Sequence, residues 1–276
     1  MLRPFTEVDV FTATPYHGNA LAVVLDGEGL TSKEMQRFAS WTNLAETTFL
    51  LPPSTPEADY RVRIFTATEE LPFAGHPTLG TCHAWLEAGG VPRTEGEIVQ
   101  ECGAGLVRVR RTGDGLAFQA PPLLRSGPVE EPLVQKIADA LGIGRADIVD
   151  AEWADNGPGW AAVLLADAES VLALRPGLVP CFLGVAGPYP EGAPYDFEVR
   201  AFTHAHGSTI EDPVTGSFNA SLAQWLLRTD RAKAPYVASQ GTVLDRSGRV
   251  HISTDEEGNV WVSGSVVTCV TGQAEL

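Results

Sequence analysis

Basic residues are scarce in this chain. Its 276 residues include 19 Lys and Arg against 35 Asp and Glu, a net charge of −16, with no basic block. That balance argues against nucleic acid and anionic membranes as partners. Cysteine is rarer still: Cys82, Cys102, Cys181 and Cys269 are scattered without CxxC spacing. Neither a zinc site nor a redox pair is signalled, and a reduced, cytoplasmic protein is expected. No apolar run approaches the ~18 residues that would mark a membrane span. The start, MLRPFTEVDVFTATPYHGN, lacks the apolar region of a secretion signal, so no targeting segment is expected. Walker A and GxGxxG motifs are missing too, which argues against a nucleotide cofactor.

What is present is ordinary globular composition, 44% hydrophobic and 20% charged. The length suits one large domain or two of about 140 residues. EVDVFTA, ALAVVLD, AETTFLL and YRVRIFTAT read as strands. TSKEMQRFASW reads as a helix with a capping box from Thr31 to Glu34 and an apolar face of Met35, Phe38 and Ala39. GLVRVRR and GLAFQAP form a hairpin around TGDG. The Pro-rich segment PPLLRSGPVEEP marks a boundary, giving halves at 1–122 and 123–276, with a last strand that could cross back. In the second half LVQKIADALG is a helix, WAAVLLA, DFEVRAFT, RVHIST and VWVSGSVVTCV are strands, and a helix runs from Pro213 to about Leu227.

The halves echo each other. Val62-Arg63-x-Phe65-Thr66 matches Val199-Arg200-x-Phe202-Thr203 at an offset of 199 − 62 = 137. His76-Pro77-x-x-Gly80-Thr81 matches Asp212-Pro213-x-x-Gly216-Ser217 at 212 − 76 = 136. HGNALAVVL resembles GPGWAAVLL. The expected architecture is therefore α+β: two similar halves related by a pseudo-twofold, each with antiparallel or mixed strands around a central helix. Proline favours the first helical position, which makes His76 and Asp212 the expected N-caps of equivalent helices. Free N–H groups there would suit a small carboxylate or phosphate. Glu46 is the lone carboxylate of an apolar strand, sharing a face with Leu44 and Leu50. Burial would raise its pKa and poise it as a general acid/base; a solvated strand end is the plainer alternative.

Taken together, HGNALAVVL, NLAETTF, PFAGHPTLG and EDPVTGS resemble the PhzF-like family, named for an isomerase of phenazine biosynthesis, over nearly the whole chain. The resemblance implies the two-domain fold of diaminopimelate epimerase. It also implies a cofactor-independent isomerase acting by proton transfer on a small carboxylated substrate in a cleft between the halves. By the family's pattern Glu46 is the acid/base, and His76, Asp212 and Ser217 are the other polar site residues. The segments around Gly75, His76, Pro77 and Thr78, and around Gly216 and Ser217, would hold the substrate, with Gly18 and Asn19 nearby. Epimerases of that fold use a cysteine in each repeat. FAGHP and EDPVTG contain none, and Cys82 lies six residues past His76. A single-carboxylate proton shuttle remains.

Two other readings compete. THAH places His204 and His206 on one strand face near Glu211 and Asp212, a partial metal set without an obvious third ligand. The second is a non-catalytic protein that binds a small anion or metabolite. The expected partner is a small-molecule carboxylate, the expected metal none, and the default assembly a homodimer.

Overall fold

The computed structural model describes residues 1–205 and 207–276, and the chain divides into two compact units. The first comprises Met1–Gln119 and Ser263–Leu276, the second Ala120–Val262. In order, the first unit contains β1 (Leu2–Val10), β2 (Asn19–Val24), α1 (Ser32–Thr42), β3 (Glu46–Leu51), β4 (Tyr60–Phe65), β5 (Glu70–Leu71), α2 (Gly75–Glu87), β6 (Glu97–Cys102), β7 (Gly105–Thr112) and β8 (Gly115–Gln119). The second contains α3 (Glu131–Leu141), β9 (Ile148–Trp153), β10 (Ala161–Leu165), α4 (Ala168–Ala173), β11 (Leu183–Pro188), β12 (Phe197–Ala205), β13 (Ser208–Asp212), α5 (Gly216–Arg228), β14 (Tyr236–Gln240) and β15 (Gly248–Thr254). β16 (Val260–Gly264) runs through the boundary, and β17 (Val266–Glu275) pairs antiparallel with β1. VWVSGSVVTCV, expected as one strand, is thus two, broken at Ser265.

The repeat is written into the strand pairing. In the first unit β1 is antiparallel to β2, β2 parallel to β3, β3 antiparallel to β4, and β4 antiparallel to β5 and parallel to β6, which is antiparallel to β7. The second unit runs through the same series from β9 to β15. In both, the parallel crossover from β4 to β6 or from β12 to β14 carries a 13-residue helix, α2 or α5. α2 packs against β1, β2, β3, β6, β8 and β17, so the strands wrap it. Its packing is close: a Cβ on Gly80 would lie 2.6 Å from Leu21 Cδ2 and 3.0 Å from methyls of Val8 and Val10.

Local chemistry explains the smaller elements. Thr31 caps α1, with the reciprocal Thr31–Glu34 hydrogen bonds of a capping box. Met35 and Ala39 are buried against Val24, Phe49 and Phe65, with Phe38 half-buried beside them. Gly89, at φ +93, ends α2, and Gly142, at φ +70, ends α3. The second unit's core gathers Ile137, Leu141, Val163, Val185 and Phe202.

The structure corrects the expected helix starts. α2 begins at Gly75 with Ala74 as N-cap, so His76 is the second helical residue and not the cap. α5 begins at Gly216 with Thr215 as N-cap, and Asp212 is the last residue of β13. The repeat is therefore registered differently in this segment. Leu71 pairs with Ile64 as Asp212 pairs with Ala201, and each helix starts four residues later. The true correspondence sets Leu71-Pro72-Phe73-Ala74-Gly75-His76 against Asp212-Pro213-Val214-Thr215-Gly216-Ser217, an offset of 212 − 71 = 141. The first half has two P-x-x-G runs in succession, Pro72 to Gly75 and Pro77 to Gly80, and the second one matched by accident. The change of offset from 137 to 141 falls in the longer β12–β13 hairpin.

Candidate functional site

In the first unit the site is built where three elements begin. Glu46 opens β3, Asn19 opens β2 and His76 sits in the first turn of α2. Parallel pairing aligns Leu21 with Glu46 and brings the two strand starts together. His76 Nε2 lies 3.2 Å from Glu46 Oε2, with side-chain exposures of 5% and 16%. The contact has the distance of an ion pair, but among the described residues no hydrogen bond forms at Nε2. On the other side of the ring, Asn19 Nδ2 is 3.4 Å from His76 Nδ1. With the Asn19 amide donating, the neutral ring carries its proton on Nε2, facing Glu46. Burial pushes the His76 imidazole down from 6.5 to about 3, so it is neutral across the physiological range.

The remaining predicted residues of this unit divide. Gly75 and His76 are the first two helical residues, whose N–H groups have no acceptor within the helix. Thr78 is fully buried, and its hydroxyl donates to Ala74 O and accepts from Gln100 Nε2. It supports the helix start. Pro77 is buried beside it. Gly18 donates its N–H to Asp9 Oδ2 at 3.0 Å. Cys82 is fully buried, and burial pushes its thiol up to about 12, which leaves no thiolate for base chemistry.

The second unit builds a matching cluster. Ser217, the counterpart of His76, is buried in the first turn of α5. Trp160 Nε1 donates to Ser217 Oγ at 3.1 Å, and Asn156 Nδ2 donates to Ser217 O at 2.9 Å. The serine hydroxyl, already accepting from the indole, is left with its own proton to donate. Asp212 Oδ2 accepts from Thr215 Oγ1 at 2.6 Å. Thr215 Oγ1 in turn accepts from Gln240 Nε2 at 3.0 Å. Gln240 is fully buried; its Oε1 accepts from Thr215 N and from Asn219 Nδ2, and its Nε2 also donates to Asp212 O. Gln100 braces Thr78 of α2 in the first unit.

Sequence reasoning missed Asp9, Asn156, Trp160, Thr215 and Gln240. Gln100 and Gln240 each brace the helix of their unit, but strand register sets them two residues apart in the repeat, so no spacing signal marked them. The metal reading loses support: His204 is exposed, Glu211 is committed to a bidentate pair with Arg200, and His206 lies outside the described residues. No group of three potential ligands occurs among the described residues. Among the described residues no helix is long and apolar enough to cross a membrane.

The chain is similar to known proteins in sequence and in fold. The family model for phenazine biosynthesis-like proteins matches residues 8–272. The chain is 34% identical to antisense-enhancing sequence 1 of Schizosaccharomyces pombe, covering 98% of each chain. It is 31% identical to the trans-2,3-dihydro-3-hydroxyanthranilate isomerase of Pseudomonas aeruginosa, covering all of both. The crystal structure of a PhzF-family phenazine biosynthesis protein from Bacillus anthracis superposes with a TM-score of 0.82 over both full chains at 22% identity. A probable proline racemase from Agrobacterium radiobacter, at 15% identity, gives 0.63 over 99% of this chain and 93% of that one, so the fold is shared with racemases. On these matches the chain belongs to the family of phenazine biosynthesis-like proteins.

Proposed function

We propose that this protein is an isomerase that moves a proton within a small carboxylated substrate without a cofactor, with Glu46 as the acid/base. The observation that carries this reading is the buried contact of Glu46 Oε2 with His76 Nε2 at 3.2 Å. A carboxylate beside a neutral, desolvated imidazole can take a proton from carbon and return it. The helix-start N–H groups of Gly75 and His76, and of Gly216 and Ser217, suit a carboxylate. Ser217 and Asp212 are the polar site residues that the family resemblance implies in the second unit. Two-thiol racemisation is disfavoured, since His76 and Ser217 occupy the helix starts and Cys82 is buried in the core.

The test is NMR in D2O with trans-2,3-dihydro-3-hydroxyanthranilate, the substrate named for the Pseudomonas relative. Wild type should convert it, and folded Glu46→Gln should lose turnover by about a hundredfold or more, the scale of general acid–base catalysis. Normal turnover by Glu46→Gln would overturn the reading. No conversion by either protein would move the search to other small carboxylates, screened by thermal stabilisation.

A further inference from the structure

Asp9 is a buried carboxylate that the proposed reaction does not use. It is 2% exposed, near the end of β1. Its Oδ2 accepts the Gly18 N–H at 3.0 Å, and its Oδ1 has no hydrogen-bond partner among the described residues. Burying a carboxylate with so few partners is costly, so what it holds matters. It holds the far end of the loop at 11–18 that joins β1 to β2. That loop contains two non-glycine residues in the left-handed region, Phe11 at φ +65 and Tyr16 at φ +72. Such conformations persist only where the surroundings impose them. The anchored residue is necessarily glycine: a Cβ on Gly18 would lie 2.1 Å from Val10 O and 2.9 Å from Asp9 Oδ1. The next residue is Asn19, 2% exposed, whose amide meets His76 Nδ1.

We infer that Asp9 is a positioning residue for the Glu46–His76 pair: by clamping the Gly18 N–H it fixes Asn19 against the His76 ring and keeps that ring sealed from water. The inference rests on the reading of Glu46 and His76 as the proton-transfer pair, but its test needs no substrate. Among the described residues Glu46, on β3, is the ionisable group paired with the ring.

The experiment is NMR titration of 15N,13C-histidine-labelled full-length protein, comparing wild type with Asp9→Ala, Asp9→Asn and Asn19→Ala, each checked for folding by circular dichroism. In wild type His76 should remain neutral down to about pH 4. Asp9→Ala should free the loop, admit water and raise the His76 midpoint by one unit or more toward its ordinary value near 6.5. Asn19→Ala should do the same, and the double variant should add little. Asp9→Asn, whose side-chain oxygen still accepts the Gly18 N–H, should stay close to wild type. An unchanged midpoint in Asp9→Ala overturns the inference. So does a lower one, because simple loss of a nearby negative charge disfavours imidazolium. Should Asp9→Ala not fold, Asn19→Ala decides, and an unchanged His76 there overturns it. Normal turnover by Glu46→Gln would refute the isomerase reading and leave these outcomes readable.

Discussion

The protonation of His76 yields a quantitative prediction about stability. In the folded protein burial holds this imidazole down at about 3, whereas in the unfolded chain it returns to 6.5. The unfolded state therefore binds more protons than the native state between those values, and stability must fall as pH drops through that window. At about pH 5 the unfolded imidazole is almost fully protonated and the native one is not. Linkage then gives a loss of RT ln(1 + 10^1.5), about 2 kcal/mol relative to neutral pH. With His76 only 4% exposed, solvent screening does not reduce that figure much. The perturbation is His76→Gln, which cannot titrate. Urea unfolding at about pH 7.5 and about pH 5 should show wild type losing about 2 kcal/mol more than the variant. Equal losses would refute the claim that the native ring stays neutral. A larger loss in the variant would show that the native ring is an imidazolium paired with Glu46.

Other consequences are checked by the same unfolding assay. Gly184→Ala should destabilise by about 3 kcal/mol, because its Cβ would lie 2.0–2.3 Å from three atoms of the Phe218 ring, next to Ser217. Gln240→Leu should cost about 3 kcal/mol or more, since it strips the acceptor from Thr215 N and Asn219 Nδ2 and the donor from Thr215 Oγ1. Thr31→Ala should cost about 1 kcal/mol through the lost capping box and leave the His76 titration unchanged.

Much of the architecture was legible because it is encoded locally. Period-two runs such as YRVRIF and FEVRAF named the strands β4 and β12, and Thr31 with Glu34 named the start of α1. The doubled V-R-x-F-T blocks announced the repeat that the two units' strand order displays. Glu46 and His76 were legible as candidates through motif resemblance. Their contact was not, because it depends on β2 lying parallel to β3 and on α2 starting at Gly75. The helix starts illustrate the limit. A P-x-x-G run fits two positions in the first half equally well, and only the pairing of Leu71 with Ile64 and of Asp212 with Ala201 selects one. Asp9, Trp160 and Gln240 stood out in no local pattern, since each acts on a partner 9, 57 or 25 residues away. The sequence by itself determined the repeating elements, the cap of α1 and the chemical types at hand, because short-range periodicity and turn chemistry specify these. The tertiary structure alone decided which polar groups meet and which are desolvated, because both depend on strand register and burial, and these arise only when distant segments pack.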